Sequence, residues 1–577
     1  MELLDKDIEK QEAPTTKKLT GAEALILSLL EEQVTTIFGY PGGAIMPIYD
    51  ALYDYTEKVQ HILVRHEQGA THAAQGYARV TGKVGVCFAT SGPGATNLIT
   101  GIADAQIDST PLVCITGQVP SALLGTDAFQ ETDVLGISMP VTKWNYQVTK
   151  AQEIPEVIAK AFFIARSGRP GPVLIDITKD AQFGTLDFKY KKCERLRSYI
   201  PVPKLSLGAV DAAAELINAA KKPLVLVGHG VLISKAQKEL TAFLEKAGVP
   251  AAWTVLGLSA LPTDHPLNMG MLGMHGNYGP NIKTNECDLL IAIGMRFDDR
   301  VTGDLTKYAK QAKIIHIEID PAEIDKNVKA DVAINADARE TLIALLPRVK
   351  VNQHTEWINE FKKCDEIETE KVTRHELYPT AGGLKMGEVV RNISELTKGE
   401  AIVVTDVGQH QMITSRYYNF KATRSNVTSG GLGTMGFALP AAYGAQVAQP
   451  DRTVVAIIGD GGIQMTIQEL GTIFQYKIPV KIVILNNNFL GMVRQWQQLF
   501  FEKRYSFTEL INPDFVALAK AYYIEAAKVS ERENLIGSIE TMLKHDGPYL
   551  LEVVVEKEEN VFPMVPSGAS VSNIRLE

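Results

Sequence analysis

The 577-residue chain is poor in cysteine and tryptophan, and it lacks long apolar runs and any excess of positive charge. Its five cysteines form no CxxC pair, which argues against a zinc ribbon or a disulfide framework and leads us to expect reduced thiols in a cytoplasmic protein. No apolar run reaches the roughly 18 residues that a membrane helix needs. A formal net charge of −9 is unsuited to nucleic acid or an anionic membrane, so we expect neither partner. Acidic residues alternate with lysines at the amino terminus, and we therefore expect no secretory or transit peptide.

The composition is that of an ordinary globular protein, with 45% hydrophobic and 22% charged residues. Short apolar runs at residues 83–89, 289–293 and 454–458 are each followed by a glycine-containing turn and a stretch with helical character. Continuous rather than alternating hydrophobicity is typical of parallel strands that are covered on both faces. The sequence therefore predicts an α/β protein built from doubly wound parallel sheets.

Two polar stretches, residues 188–207 and 353–380, have the composition of linkers. They predict three domains at residues 15–190, 191–375 and 376–577, the last including a carboxyl-terminal tail; all three have ordinary domain size. A glycine at position 76 and another at position 444 precede similar strand-and-glycine patterns. This match suggests that the outer domains are related to each other and flank a different middle one.

The most specific local pattern is Gly459-Asp460-Gly461, followed after the next apolar run by Asn486-Asn487. Adjacent parallel strands would bring both turns to one carboxyl edge, where α/β sheets bind ligands. Asp460 and Asn487 supply the oxygen atoms that Mg²⁺ prefers, while Gly461 and Gly462 allow phosphate to approach the backbone. The alternative is a tight turn beside an asparagine-rich loop.

Residues 431–436 fit the pattern G-x-G-x-x-G, but no strand directly precedes them as a dinucleotide fingerprint requires. We interpret them as a glycine turn that lines a cofactor, with an NAD dehydrogenase as the alternative. Glu67 follows a short apolar run and begins a helix of small residues. It is either a proton-transfer group or an ordinary helix-terminal carboxylate, and the residues alone do not decide between them.

The middle segment has glycine turns at Gly228 and Gly230, and acids at Glu318 and Asp337 where predicted strands end. Such turns and acids suit the pyrophosphate and sugar hydroxyls of a nucleotide, although ordinary turn chemistry is the alternative. Trp496 lies in a polar and aromatic stretch. It could either hold a surface helix in place or form the wall of a pocket.

Together these residues resemble the thiamine-diphosphate enzymes, and within them the catalytic subunits of acetohydroxyacid synthases (acetolactate synthases). The resemblance covers about residues 21–566. It rests on the stretches 39–43, 65–70, 128–133, 274–276, 296–300, 431–436 and 491–496, together with the Gly-Asp-Gly and Asn-Asn pair.

The resemblance implies pyrimidine-binding, FAD-binding and diphosphate-binding domains in that order, with thiamine diphosphate, Mg²⁺ and FAD as cofactors. The positions it implies for thiamine diphosphate are Tyr40, Pro41, Gly42, Gly433, Met435, Gly459, Gly461, Gly462 and Met492. Those it implies for FAD are Arg169, Gly228, Gly230, Thr254, His275, Arg296, Asp298, Glu318 and Asp337. For Mg²⁺ they are Asp460, Asn487 and the carbonyl of Phe489. The chain departs from the usual pattern at His229 and Trp253.

The implied reaction decarboxylates pyruvate and joins the remaining two-carbon unit to pyruvate or 2-ketobutyrate, as in branched-chain amino-acid biosynthesis. Glu67 would activate the cofactor, Arg300 would bind the acceptor's carboxylate, and Trp496 would favour 2-ketobutyrate. Gly43, Gln130 and Lys179 match further pocket positions. The active sites would lie between subunits of a homodimer or tetramer, with a small regulatory subunit as a further partner.

Four alternatives remain at this point. A pyruvate oxidase would use FAD as a redox group, which Arg300 and Trp496 together disfavour. Glyoxylate carboligase has an apolar residue in place of Glu67. An NAD dehydrogenase would bind NADH, and a flavoprotein without catalytic activity would release no CO₂ from any 2-keto acid.

Overall fold

The computed structural model describes residues 18–577, so the expectation about targeting peptides lies largely outside the described residues. It contains three six-stranded sheets and one two-stranded sheet. All neighbouring strands within the six-stranded sheets are parallel. Helices flank each sheet, which confirms the predicted fold class. In the described part of the chain, no helix has both the length and the apolar character needed to cross a bilayer.

The amino-terminal unit holds its sheet in the order β3-β2-β4-β5-β7-β6, while β1 and β8 pair antiparallel beside it. Its strands are β1 Lys18–Thr20, β2 Thr36–Gly39, β3 Gln60–Leu63, β4 Gly85–Ala89, β5 Leu112–Gln118, β6 Trp144–Val148, β7 Pro172–Thr178 and β8 Thr185–Asp187. Its helices are α1 Gly21–Glu31, α2 Met46–Tyr53, α3 Glu67–Thr81, α4 Pro93–Asn97, α5 Ile99–Ile107, α6 Val134–Ser138, α7 Ile154–Arg166 and α8 Lys179–Phe183.

The central unit has the strand order β11-β10-β9-β12-β13-β14, which is the 3-2-1-4-5-6 order of dinucleotide-binding folds. Its strands are β9 Pro223–Val227, β10 Ala251–Trp253, β11 Asn268–Met271, β12 Leu289–Ile293, β13 Lys313–Glu318 and β14 Val332–Asn335. Its helices are α9 Leu207–Ala219, α10 His229–Ile233, α11 Gln237–Ala247, α12 Tyr278–Thr284, α13 Asp299–Thr302 and α14 Ala338–Leu345.

A helical segment, α15 Thr355–Glu368, continues through a π-helical turn at Thr369–Thr373 into α16 Arg374–Leu377. Residues 353–380, whose composition predicts a linker, are therefore mostly helical. Trp357 and Phe361 of α15 are buried, and the Trp357 indole donates to the Pro223 carbonyl at 2.8 Å. The polar residues that suggested a linker lie mainly on the exposed side of this helix. In the described chain, no helix or strand lies between the end of β8 at Asp187 and the start of α9 at Leu207. This agrees with the linker predicted for residues 188–207.

The carboxyl-terminal unit has the order β16-β15-β17-β18-β20-β19, the same 2-1-3-4-6-5 pattern as the amino-terminal unit. Its strands are β15 Ile402–Thr405, β16 Asn426–Thr428, β17 Val454–Gly459, β18 Lys481–Asn486, β19 Glu525–Val529 and β20 Tyr549–Val554. Its helices are α17 Met386–Leu396, α18 Gln409–Tyr417, α19 Ala438–Ala448, α20 Asp460–Ile463, α21 Leu470–Tyr476, α22 Gly491–Phe500, α23 Phe515–Ala521 and α24 Arg532–Lys544.

The two outer units pack against each other through α3 and α19. A Cβ atom on Gly76 would lie 2.0 Å from the Ala441 carbonyl oxygen, and one on Gly444 would lie 2.0 Å from that of Ala73. The crossing is therefore reciprocal, and each helix needs a glycine where the other's backbone passes. The sequence match between positions 76 and 444 reflects these equivalent places in two units of the same topology.

Candidate active site

The turns that end β17 and β18 lie side by side, as predicted, because these strands are parallel neighbours with Gly459 opposite Leu485. Asp460 begins α20 and is 1% exposed. Burial raises the pKa of its carboxyl to about 6, against hydrogen bonds that lower it. The Asn487 amide oxygen accepts from the Phe489 backbone at 3.1 Å. The chain thus buries one carboxylate beside neutral oxygen atoms at a sheet edge.

Sequence reasoning missed Asn512, which belongs to this cluster. Its side-chain nitrogen donates to Asp460 Oδ2 at 2.6 Å, to Asn488 Oδ1 at 3.0 Å and to Asn486 Oδ1 at 3.1 Å. One neutral amide NH₂ group therefore lies among three oxygen atoms. Asn512 lies beyond the strands that carry the motif, so no local spacing could have identified it.

A second missed group is Gln409-His410, at the start of α18 after β15. The His410 ring lies 2.9 Å from where a Cβ on Gly459 would be, so only glycine allows this contact. His410 Nε2 is buried without a hydrogen-bond partner, and burial lowers the pKa of the ring to about 4. The signal available in the sequence was a Gly-Gln-His stretch after a buried strand of the same sheet.

Glu67 is the first residue of α3 and is 8% exposed. Its Oε2 atom accepts from Asn97 Nδ2 at 2.9 Å. A Cβ on Gly94 would lie 3.3 Å from its Oε1 atom, which leaves that oxygen beside a bare backbone. The predicted carboxylate is thus buried at the carboxyl edge of the amino-terminal sheet.

Other predicted pocket residues follow strands of the same sheet. Tyr40, Pro41, Gly42 and Gly43 come directly after β2, and Lys179 directly after β7. A Cβ on Gly42 would lie 2.6 Å from the Thr90 side chain, whereas Gly43 faces open space. Gln130 has a φ of 60°, and its backbone carbonyl lies 2.8 Å from where a Cβ on Gly92 would be. None of Glu67, Gly43, Gln130 and Lys179 lines the large cavity described next.

One cavity of about 920 Å³ extends across all three units, at the upper end of the range for ligand pockets. The predicted residues that line it are Arg169, Gly230, Thr254, His275, Arg296, Asp298, Arg300, Glu318, Asp337, Gly433, Met435, Met492 and Trp496. Gly228 is not among its lining residues and packs against the Gly294 carbonyl instead. The structure thus joins the predicted flavin positions to Met435, Met492 and Trp496.

Within the cavity, several predicted side chains already have structural partners. Asp298 and Asp337 cap α13 and α14 through their side-chain oxygens. Arg169 forms ion pairs with Asp320 and Glu323 at 3.2 and 3.1 Å. Burial raises the pKa of Glu318 to about 7. Ordinary turn chemistry, the alternative considered above, therefore accounts for part of the role of Asp298 and Asp337.

Arg300 and Trp496 lie where the cavity reaches the carboxyl-terminal unit. The Arg300 side chain is 63% exposed, and it has only Met274 Sδ at 3.4 Å and Asp299 at 3.8 Å as close polar neighbours. Trp496 lies on α22 beside Met492 and stacks on Phe500 with ring centroids 5.0 Å apart. A largely exposed guanidinium thus shares the cavity with an aromatic ring and a thioether side chain.

Comparison with known proteins identifies the family. Models of the thiamine pyrophosphate enzymes match as an N-terminal TPP binding domain at residues 19–137, a central domain at 210–345 and a C-terminal TPP binding domain at 406–553. The chain is 48% identical over 559 residues to the acetolactate synthase isozyme 2 large subunit of Escherichia coli, covering 96% of this chain and 99% of that one. It is 48% identical over 568 residues to the acetolactate synthase large subunit of Corynebacterium glutamicum, covering 97% and 90%. The chain belongs to the acetolactate synthase large subunits.

Membership in this family confirms the predicted resemblance and gives the chain thiamine diphosphate (thiamine pyrophosphate) as a cofactor. The residues present fit it, because the buried His410 Nε2 lacks a partner that a phosphate oxygen could provide. In the acetolactate synthase cavity, His275 Nδ1 is similarly buried without a partner beside the predicted flavin positions. Within residues 18–577, no three His, Cys, Asp or Glu side chains cluster as a metal site would require. A Mg²⁺ ion would therefore depend on Asp460, neutral oxygens and the cofactor's own phosphates.

Proposed function

We propose that this acetolactate synthase decarboxylates pyruvate and joins the two-carbon unit to a second 2-keto acid, giving 2-acetolactate from pyruvate and 2-aceto-2-hydroxybutyrate from 2-ketobutyrate. The observation that carries the choice of substrates is that Arg300, Met435 and Trp496 line one cavity. A guanidinium suits the acceptor's carboxylate, and an aromatic wall suits an alkyl tail. These products would place the enzyme at the first common step of branched-chain amino-acid biosynthesis.

Thiamine diphosphate, when bound, supplies the electron sink that cleavage of a carbon–carbon bond next to a carbonyl requires. In this proposal Asp460, Asn487 and the Phe489 carbonyl hold Mg²⁺, with Gly459, Gly461 and Gly462 beside the diphosphate. His410 lies beside a phosphate oxygen through its partnerless Nε2 atom. Its other ring nitrogen donates to the Asp406 backbone, so the ring donates to the phosphate when it is protonated.

Glu67 shares a proton with the N1′ ring nitrogen of the cofactor's aminopyrimidine. Because Asn97 occupies Oε2, we assign the proton transfer to Oε1, which lies beside Gly94. Apolar side chains at Met435 and Met492 exclude water around the reacting carbons. A poorly hydrated pocket favours loss of the negatively charged carboxylate as neutral CO₂.

Acceptor choice depends on Arg300 and Trp496. Arg300 binds the acceptor's carboxylate, and Trp496 contacts the extra methylene of 2-ketobutyrate. One methylene against such a wall contributes about 1–3 kcal/mol, or roughly a 10- to 200-fold preference. Gly43, Gln130 and Lys179 do not line the cavity of their own chain, and we propose that they complete the pocket of a second copy of the chain.

We propose FAD as a structural cofactor of the central unit, since the net reaction transfers no electrons to a flavin. The dinucleotide-type strand order and the partnerless His275 Nδ1 support this assignment. The other proposed contacts are Arg169, Gly230, Thr254, Arg296, Asp298, Glu318 and Asp337, which all line the cavity.

We propose a homodimer or tetramer as the assembly, as the family resemblance implies. Within one chain, Glu67 does not line the cavity that contains Arg300 and Trp496. Glu67 of one chain would complete the site that Asp460 of another begins. Relatives named as large subunits also support a small regulatory partner. Five unpaired cysteines support a cytoplasmic location.

The test is product analysis with purified protein, pyruvate, thiamine diphosphate, Mg²⁺ and FAD, with and without 2-ketobutyrate. We expect acetolactate, with 2-aceto-2-hydroxybutyrate formed once 2-ketobutyrate is present. Acetyl phosphate or peroxide would instead indicate a pyruvate oxidase. Flavin binding without release of CO₂ would exclude both reactions.

A further inference from the structure

The glycine loop, residues 429–436 between β16 and α19, carries Gly433 and Met435 into the cavity. Two carboxylates of the amino-terminal unit contact this loop, although they are more than 300 residues away in sequence. Asp104 lies in α5, and Asp108 directly follows that helix. Their spacing of four residues places both carboxylates on one side of the helix, facing the loop.

Asp104 fastens the two ends of the loop to each other. The Ser429 hydroxyl donates to Asp104 Oδ1, and the Thr434 hydroxyl donates to the same oxygen at 3.0 Å. The Thr434 backbone amide donates to Ser429 Oγ at 2.8 Å. Because Asp104 and Ser429 are fully buried, water cannot replace these bonds.

Asp108 holds the intervening glycines by their backbone. Its two oxygens accept from the amides of Gly430 and Gly431 at 2.8 and 2.7 Å. Arg79 pairs with the same carboxylate at 2.7 Å and also donates to the Thr428 carbonyl at 2.7 Å. The ion pair is almost fully buried, so it adds directional bonds that a mobile surface pair would not.

The loop also has little room to move. A Cβ on Gly431 would lie 2.7 Å from Arg296 Nη2 and 2.8 Å from Ile107 Cγ1. The backbone is therefore confined between the last residue of α5 and a cavity arginine. Met435 is the residue after Thr434, so the same contacts determine where its backbone lies. Its methyl carbon would be 3.8 Å from a Cβ atom on Gly461.

We propose that Asp104 and Asp108 are positioning residues for the reaction: they hold the glycine loop so that Met435 keeps its place against the bound cofactor. Asp104 does not line the cavity, and Asp108 lines it with both oxygens already engaged by Gly430, Gly431 and Arg79. The expected effect of these residues on the reaction rate rests on the proposed function. Their expected effect on cofactor affinity does not depend on which product is formed.

The test compares Asp104→Ala and Asp108→Asn with the parent holoenzyme. Asp104→Ala removes the one oxygen that accepts from both Ser429 and Thr434. Asp108→Asn places a donor where a glycine amide of the loop needs an acceptor. Each change costs about as much as leaving buried hydrogen bonds unmade. We expect the dissociation constant for thiamine diphosphate, measured by titration calorimetry, to rise roughly tenfold. At saturating cofactor we expect kcat to fall roughly tenfold, with the KM for pyruvate nearly unchanged and a normal flavin content.

Asp288→Asn is the matched control. Asp288 also accepts two backbone amides, those of Lys221 and Lys222 at 2.7 and 2.9 Å, but it does not line the cavity. It should lower the melting temperature without changing cofactor affinity. If the Asp104 and Asp108 variants fail to fold, Ser429→Ala removes one hydroxyl of the same arrangement and should raise the dissociation constant several-fold.

Unchanged cofactor affinity and kcat in folded variants would overturn the proposal. An equal loss of affinity in Asp288→Asn would also overturn it, because that would make the effect one of general stability. If the parent protein forms no acetolactate, the proposed function fails, while the affinity measurement still decides the positioning role.

Discussion

The Glu67 carboxylate is the single group whose chemistry we expect to be indispensable. Glu67→Gln keeps the shape of the side chain but removes its ability to exchange a proton. We expect turnover to fall about 10²- to 10⁴-fold, while flavin content and the affinity for Mg²⁺ remain normal. Acetolactate formation under saturating cofactor measures this effect.

Glu57→Gln, at an exposed position of the same unit, is the control for the amide substitution. It should leave turnover unchanged. If Glu67→Gln retains turnover within twofold of the parent protein, Glu67 has no proton-transfer role.

Trp496 makes a separate prediction about acceptor choice. Trp496→Leu removes the aromatic wall and should reduce the preference for 2-ketobutyrate by about 10- to 200-fold, with a smaller effect on total turnover. The ratio of the two products in a competition assay measures this preference. Trp144→Leu, at another half-buried tryptophan stacked on an aromatic ring, should leave the ratio unchanged. An unaltered ratio in Trp496→Leu would mean that another residue forms the wall.

Residues differ in how well a sequence predicts them. Asp460 and Asn487 could be predicted because each directly follows a strand, and adjacent parallel strands share an edge. Asn512 and Asp108 could not, since each reaches its partner from a distant segment that carries no motif. The spacing of motifs along the chain predicts which residues meet at the edge of one sheet. It does not predict contacts between units, because these depend on how the folded units pack together.

Among the elements, α3 and α19 have the most demanding contact. Gly444→Ala would place a methyl group against the Ala73 backbone, which cannot retreat as a flexible side chain can. We expect a loss of about 1–3 kcal/mol in the free energy of unfolding, seen as a lower melting temperature. Gly537→Ala, in the exposed helix α24 with open space around it, should be neutral or stabilising by up to about 1 kcal/mol. Equal melting temperatures for the two variants would contradict the close crossing.

The elements also show why composition misleads at one predicted boundary. Residues 353–380 contain so many charged side chains that their sequence resembles a linker. Only a few apolar side chains, including Trp357 and Phe361, anchor α15 to the central unit. A helix with a narrow buried face is hard to distinguish from a linker by average polarity, although the spacing of its apolar residues would have indicated it.

At the scale of the whole molecule, the proposed interface predicts complementation. Glu67→Gln and Asp460→Ala should each be inactive alone, the latter because it removes the carboxylate proposed to bind Mg²⁺. In a mixed dimer, one of the two sites receives an intact Glu67 and an intact Asp460. Co-expression of the two differently tagged variants should therefore restore about one quarter of parental activity, since half of the dimers are mixed and each has one intact site.

Two differently tagged copies of Glu67→Gln, co-expressed in the same way, should remain inactive. Mixed dimers that carry both tags but form no acetolactate would show that each site is built within a single chain.

The reciprocal crossing of α3 and α19 also affects how the protein is made. Gly76 leaves the ribosome long before Gly444, and the whole central unit is synthesised between them. At about 5–20 residues per second, the partner of α3 arrives about 20–70 s later. During that time the small-residue face of α3 is not packed against α19. We therefore expect newly made chains to need chaperones, which prevent aggregation until the last unit has been synthesised.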